Sequence, residues 1–173
     1  MICAVRPQDA VARALISQAV RPDVAAQWDA QKNHPLTPHD VLVNSHVRVH
    51  WRCTAGPDHA WSSILRFRTS TKHTKACPFC VNRRLSVTNS LATVAPAVAA
   101  TFDAARNAPL TAADVVAVTT RPYYFIIDGG ASLRAPVRAR LFAYRYHIAR
   151  GVPPDQAALM QAPPPTSSAK AVE

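Results

Sequence analysis

Cys53, His59, Cys77 and Cys80 are the residues whose types and spacing point to a specific chemistry. They read Cys-x5-His and, seventeen residues later, Cys-Pro-Phe-Cys. A Cys-x-x-Cys places two thiolates on one tight turn, and a second ligand pair on a separate knuckle completes a tetrahedron, the layout of a structural zinc site. Two other uses of the thiols are weaker. A thioredoxin-like pair needs a strand before the motif and an amphipathic helix after it; here Thr-Ser-Thr-Lys-His-Thr-Lys precedes and Asn82-Arg83-Arg84 follows. Disulfide pairing is disfavoured because paired Cys/His knuckles in a non-secreted chain usually hold metal. His50 or His73 could replace His59 as fourth ligand, but the turn-forming Thr-Ala-Gly-Pro-Asp between Cys53 and His59 favours His59. Cys3 has no partner near it in sequence and reads as a free thiol.

The composition suggests a polyanionic partner. The chain has 173 residues and a formal net charge of +10, enough chain for one or two small cores. No apolar run reaches the roughly 18 residues of a membrane span, so a soluble chain is expected. The charge is unevenly placed. Between Asp58 and Asp103 there is no acidic residue, while Arg66, Arg68, Lys72, Lys75, Arg83 and Arg84 fall there. A second acid-free run, residues 129–154, carries Arg134, Arg138, Arg140, Arg145 and Arg150. Basic segments beside aromatic residues suggest phosphate contacts, whereas a merely solvated face would interleave acids.

The chain also repeats itself. Residues 22–51 align without a gap to residues 96–125, with twelve of thirty positions identical, so a unit was duplicated. Each copy reads as a helix through Val-Ala-Ala-x-(Trp/Phe)-Asp, a loop at Asn-x-Pro-Leu-Thr, and a strand ending in an aromatic residue, Trp51 or Phe125. Thr37 with Asp40, and Thr111 with Asp114, have the spacing to cap a one-turn helix. At the offset of 74, Cys53 corresponds to Ile127 and His59 to Leu133, so the second copy is expected to bind no metal.

Residues 22–91 resemble the zinc-ribbon family of treble-clef modules, often found in tandem. The resemblance is carried by Pro22-x-Val-Ala-Ala-x-Trp28, Asn33-x-Pro-Leu-Thr-Pro38, Ser45, Trp51-Arg-Cys53, Asp58-His-Ala-Trp61, Arg68, Cys77-Pro-x-Cys80 and Asn89-Ser-Leu91. It implies one zinc held by Cys53, His59, Cys77 and Cys80. Relatives of this kind occur as extra proteins in the mitochondrial ribosomes of some protists, so a mitochondrial ribosomal protein is what the resemblance suggests.

The expected fold is α+β. Residues 47–51 alternate as a strand, residues 53–59 form the knuckle, and residues 61–68 return as the second strand of a hairpin. Trp51 and Trp61 should pack beside the metal. Tyr123 to Leu133 reads as a second hairpin turning at Asp128-Gly129-Gly130. Residues 136–150 have helical spacing, with Val137, Leu141, Tyr144 and Ile148 as the apolar stripe and the arginines mostly off it. The expected organisation is therefore an N-terminal helix or import segment at 1–21, a zinc module at 22–91, a degenerate second repeat at 92–133, a basic helical segment at 134–161 and a Pro-rich tail at 162–173, ordered only by a partner.

Catalysis finds little support. The ten acidic residues are scattered, with no acid/base pair, nucleophile elbow or phosphate-binding loop, and a four-ligand zinc leaves no position for substrate. The expected role is a non-catalytic component of a ribonucleoprotein, with structured RNA and neighbouring proteins as partners and neither membrane nor small-molecule substrate. Nucleic-acid contacts are expected from Arg66, Arg68, Lys72, Lys75, Arg83, Arg84, Arg138, Arg140, Arg145 and Arg150. A DNA-binding module of a nuclease or mobile-element system, or a protein-only adaptor, is the alternative. Arg6, Arg13 and Arg21 against Asp9 in the first 21 residues suit a mitochondrial import segment, although an ordinary helix packing on the first repeat has the same composition.

Overall fold

A computed structural model describes residues 22–69 and 76–161. Expectations for Cys3, residues 1–21, Lys72, His73, Lys75 and the tail at 162–173 fall outside the described residues. The chain divides into two compact units, Met1–Val81 and Asn82–Glu173.

The first unit opens with α1 (Pro22–Ala25) and α2 (Ala30–Asn33) where one helix was expected. The break has a local cause. Asp29 turns its carboxylate onto the Lys32 N–H at 3.1 Å, so it caps a new helix instead of continuing the old one. Asn33 then clamps the loop to β1 (Arg48–Arg52), its side-chain amide donating to His50 O and accepting from His50 N, both at 2.8 Å. Strand β1 pairs antiparallel with β2 (Ala60–Ile64), Trp51 lying opposite Trp61. The second strand is shorter than expected. From Arg66 the chain turns into α3 (Arg66–Thr69), which carries Arg68 inward rather than along a strand. Val24, Val41, Val49, Trp51, Trp61, Leu65, Cys77 and Phe79 form the core.

The second unit runs through α4 (Leu91–Val94), α5 (Pro96–Ala100), α6 (Ala104–Asn107), a 3-10 turn at Ala112–Asp114, β3 (Pro122–Ile126), β4 (Ser132–Pro136), α7 (Val137–Ile148) and α8 (Pro154–Leu159). Asp103 caps α6 through the Arg106 N–H at 3.1 Å, and Asn107 clamps Tyr124 as Asn33 clamps His50. Trp28–Trp51 and Phe102–Phe125 are both edge-to-face pairs with centroids 5.7 Å apart. The Thr111/Asp114 capping box is formed; in the first copy Thr37 and Asp40 make the same bonds around a turn.

Two expectations about the repeat are corrected. In the hairpins Trp51 faces Trp61 and Phe125 faces Leu133, and Cys53 N bonds His59 O as Ile127 N bonds Ala131 O. The second loop is two residues shorter, so His59 corresponds to Ala131 and Leu133 to Trp61. The duplication also runs past residue 133. Arg66 N donates to Ser45 O and Arg138 N to Thr119 O, which makes residues 134–140 the counterpart of 62–68. Val137, Leu141 and Ala158 lie in one core with Leu91, Val98, Phe102, Val115 and Phe125, so 134–161 is part of the second unit. Leu91 packs there too, and Asn89 and Ser90 belong to that unit rather than to the zinc module.

Helix α7 buries Val137 and Leu141 as expected, but Arg140 and Ala143 are buried with them while Ile148 is exposed. It ends where Gly151 takes φ of 79°, a conformation open to glycine. Among the described residues no helix is long and apolar enough to cross a membrane.

Candidate metal centre

The hairpin and the second knuckle each deliver two ligands. Residues 53–59 close the β1–β2 turn, with Cys53 N donating to His59 O at 2.9 Å and His59 N to Gly56 O at 3.3 Å. Gly56-Pro57 makes the bend that brings both side chains to one side. At the other knuckle Val81 N returns to Cys77 O at 3.1 Å, and Asn82 takes φ of 58°, a left-handed conformation that asparagine tolerates.

The ligand atoms of Cys53, His59, Cys77 and Cys80 all lie within 4.8 Å of one another. Cys53 Sγ is 3.7 Å from Cys80 Sγ, and His59 Nδ1 is 3.6 Å from Cys80 Sγ and 3.8 Å from Cys77 Sγ. A zinc tetrahedron with Zn–S of about 2.3 Å and Zn–N of about 2.0–2.1 Å has S···S edges of about 3.8 Å and S···N edges of about 3.6 Å. The three separations match those edges. A disulfide would need about 2.05 Å, and Cys53, Cys77 and Cys80 are free. His50 lies on the exposed face of β1, outside this group.

The site sits against the core. His59 is 2 % exposed and its ring stacks on Phe79 at 5.0 Å and 16°, while Phe79 meets Trp61 edge-on at 6.3 Å. Phe79 therefore fixes the imidazole plane from between the two cysteines, a role that the pattern of ligands alone leaves unmarked. Desolvation, then hydrogen bonding with Cys53 and Cys77, pushes the Cys80 thiol up to about 12. Three thiol sulfurs and one imidazole nitrogen at tetrahedral spacing form a donor set that fits a divalent metal. Bound there, zinc supplies folding free energy, and four protein ligands leave no position open for substrate.

The structure divides the expected basic contacts. Arg66, Arg83, Arg84, Arg138, Arg145 and Arg150 are exposed. Arg68 and Arg140 are corrections, being only 4 % and 3 % exposed. Arg68 lies over the rings of Trp51 and Trp61, 5.4 and 5.3 Å from the centroids, and donates to Gln27 Oε1 at 2.6 Å. Arg140 lies over Phe125 at 5.6 Å and donates to Met160 O at 3.0 Å and to Ala158 O. Neither guanidinium is available to a phosphate. The signal that marks them is positional: they occupy equivalent places in the two copies.

Residues 24–83 match the model of a family described as "Probable Treble clef zinc finger domain". No curated protein matches the chain. The Cys3His tetrahedron built from a hairpin turn and a second knuckle agrees with that description, so residues 24–83 are similar to a treble-clef zinc finger domain and hold a single candidate structural metal site among the described residues.

Proposed function

We propose that this chain is a non-catalytic structural component of a ribonucleoprotein, in which zinc fixes the first unit and exposed arginines contact RNA phosphates. The observation that carries this reading is the surplus of exposed cations. Arg48, Arg83, Arg84, Arg121, Arg138 and Arg145 are exposed and have no carboxylate partner among the described residues. Asp29, Asp40, Asp103 and Asp114 are meanwhile committed to caps and turns within the chain. A surface of this kind draws its counter-charge from a partner. The commitment of the acids to turns, together with four-ligand coordination, also supports a role without chemistry of its own. A mitochondrial ribosome is the sharpest form of the reading.

The test is binding of zinc-loaded chain to a structured RNA and to duplex DNA at matched salt. Tighter RNA binding with a steep salt dependence is expected, as is co-sedimentation with a large ribonucleoprotein particle, reversed by high salt or ribonuclease. Preference for duplex DNA would favour a DNA-binding module, and weak binding to both a protein-only adaptor.

A further inference from the structure

We propose that the outward face of the β1–β2 hairpin is the surface on which the first unit binds the phosphate backbone of its RNA, an inference that rests on the reading above. Strand β1 alternates: Val49 and Trp51 are buried, whereas Arg48, His50 and Arg52 are exposed on the opposite face. The antiparallel register sets these three beside Ile64, Ser62 and Ala60. Just outside the paired strands, where α3 begins, the Arg66 guanidinium lies 2.8 Å from His46 Nε2. Arg48, His50 and Arg52 stand in a row at about 6.8 Å per step, roughly 14 Å long. Lys32 joins them from α2, lining with His50 and Ser62 a cavity of about 160 Å³.

The acid on this face offsets one member of the row, Arg52, and leaves Arg48 and Lys32 without an ion pair among the described residues. Asp29 is 4 % exposed and is already held by the Lys32 N–H and by Arg52 at 3.3 Å. The fold does not require the cations. In the second hairpin, built on the same clamp and register, Pro122, Tyr124 and Ile126 take the places of Arg48, His50 and Arg52. The short neighbours Ala60 and Ser62 leave the long cationic side chains room to reach outward. A protein partner would call for an apolar centre, and this face carries Ile64 as its only large aliphatic. The exposed charges of Arg48 and Lys32 on this face fit a polyanion read through its charge rather than its sequence.

The test uses the full, zinc-loaded chain, a labelled RNA stem-loop, and the variant Lys32→Gln/Arg48→Gln/His50→Gln, in which Arg52 is kept because it holds Asp29. Zinc content of one per chain establishes that the variant folds. Affinity at about 50 mM salt is expected to fall at least about tenfold, and the slope of log affinity against log salt to flatten by about 1.4–1.8 for the two full cations removed. Absence of salt-dependent RNA binding by the unmutated chain would sink the RNA reading and this inference together. Binding by the unmutated chain with the variant unchanged in affinity and slope overturns the inference alone and moves the contact to other arginines. Weaker binding with an unaltered slope also overturns it, as does displacement of the RNA by poly-glutamate at equal charge concentration, which would assign the face to an acidic protein.

Discussion

Arg68 and Arg140 show what one residue does when the same position is used twice. Each guanidinium lies over the aromatic residue of its copy's first strand, Trp51 or Phe125. In the second unit Arg140 donates to carbonyls at the end of α8, where the helix dipole favours a cation, and burial lowers its pKa from the ordinary arginine value. Replacing Arg140 with Ala strands those carbonyls and is expected to cost the second unit about 1.5–3 kcal/mol, the range for hydrogen bonds to a charged donor. Urea unfolding followed through tyrosine checks this, with zinc content unchanged. At the metal, Cys77→Ser removes one of four ligands beside a core that contains Cys77 itself. Because structural zinc contributes about 10–16 kcal/mol in finger peptides, the variant is expected to lose its zinc and unfold the first unit. Elemental analysis should read one zinc per unmutated chain and none in the variant.

At the scale of elements, the repeated unit is held by side chains that replace secondary structure. Asn107 makes both backbone bonds to Tyr124 that a neighbouring strand would otherwise make, and Asn107→Ala is expected to destabilise the second unit by about 1–3 kcal/mol by leaving them unmet. The Asp caps add a pH dependence. The Ser132 hydroxyl and the Arg106 N–H hold Asp103 below its ordinary value, and the Thr111 hydroxyl and N–H do the same for Asp114. A carboxylate depressed in the folded state stabilises above its unfolded value, near 3.8, and that contribution is lost as pH falls through the folded one. Asp103→Asn and Asp114→Asn should therefore weaken the second unit at neutral pH and flatten its loss of stability below about pH 4. Denaturant midpoints at neutral and acid pH measure both effects. The ligand set, the duplication and both hairpins were legible in the sequence because residue type and spacing are one-dimensional signals. The break at Asp29 was not, since a helical run does not say that its Asp will cap a second helix. Nor was the inward turn at Arg66. Composition registers Arg68 and Arg140 as charge, and only packing against Trp51 and Phe125 identifies them as core.

For the whole molecule, duplication has produced two units that close by different physics. The first closes on its metal site: Cys77 and Phe79 belong to its core, and Cys77 is also one of the four ligands. The second closes with α8, whose Ala157 and Ala158 are buried and whose final carbonyls take the Arg140 guanidinium. The aromatic residues make the difference observable. Trp28, Trp51 and Trp61, the chain's three tryptophans, all lie in the first unit, and its four tyrosines, Tyr123, Tyr124, Tyr144 and Tyr146, all lie in the second. Trp51 is fully buried, with its indole N–H donating to Ser63 Oγ at 2.9 Å, so loss of the first unit exposes it to water. Titration with a strong chelator is expected to red-shift tryptophan emission and abolish protection of β1 and β2 in hydrogen exchange, while the tyrosine near-UV signal and protection of α7 persist. Subsequent heating should melt the tyrosine signal in a separate transition, and added zinc should restore the tryptophan signal alone. Loss of both signals in one step at the same chelator concentration would mean that the second unit has no fold independent of the metal.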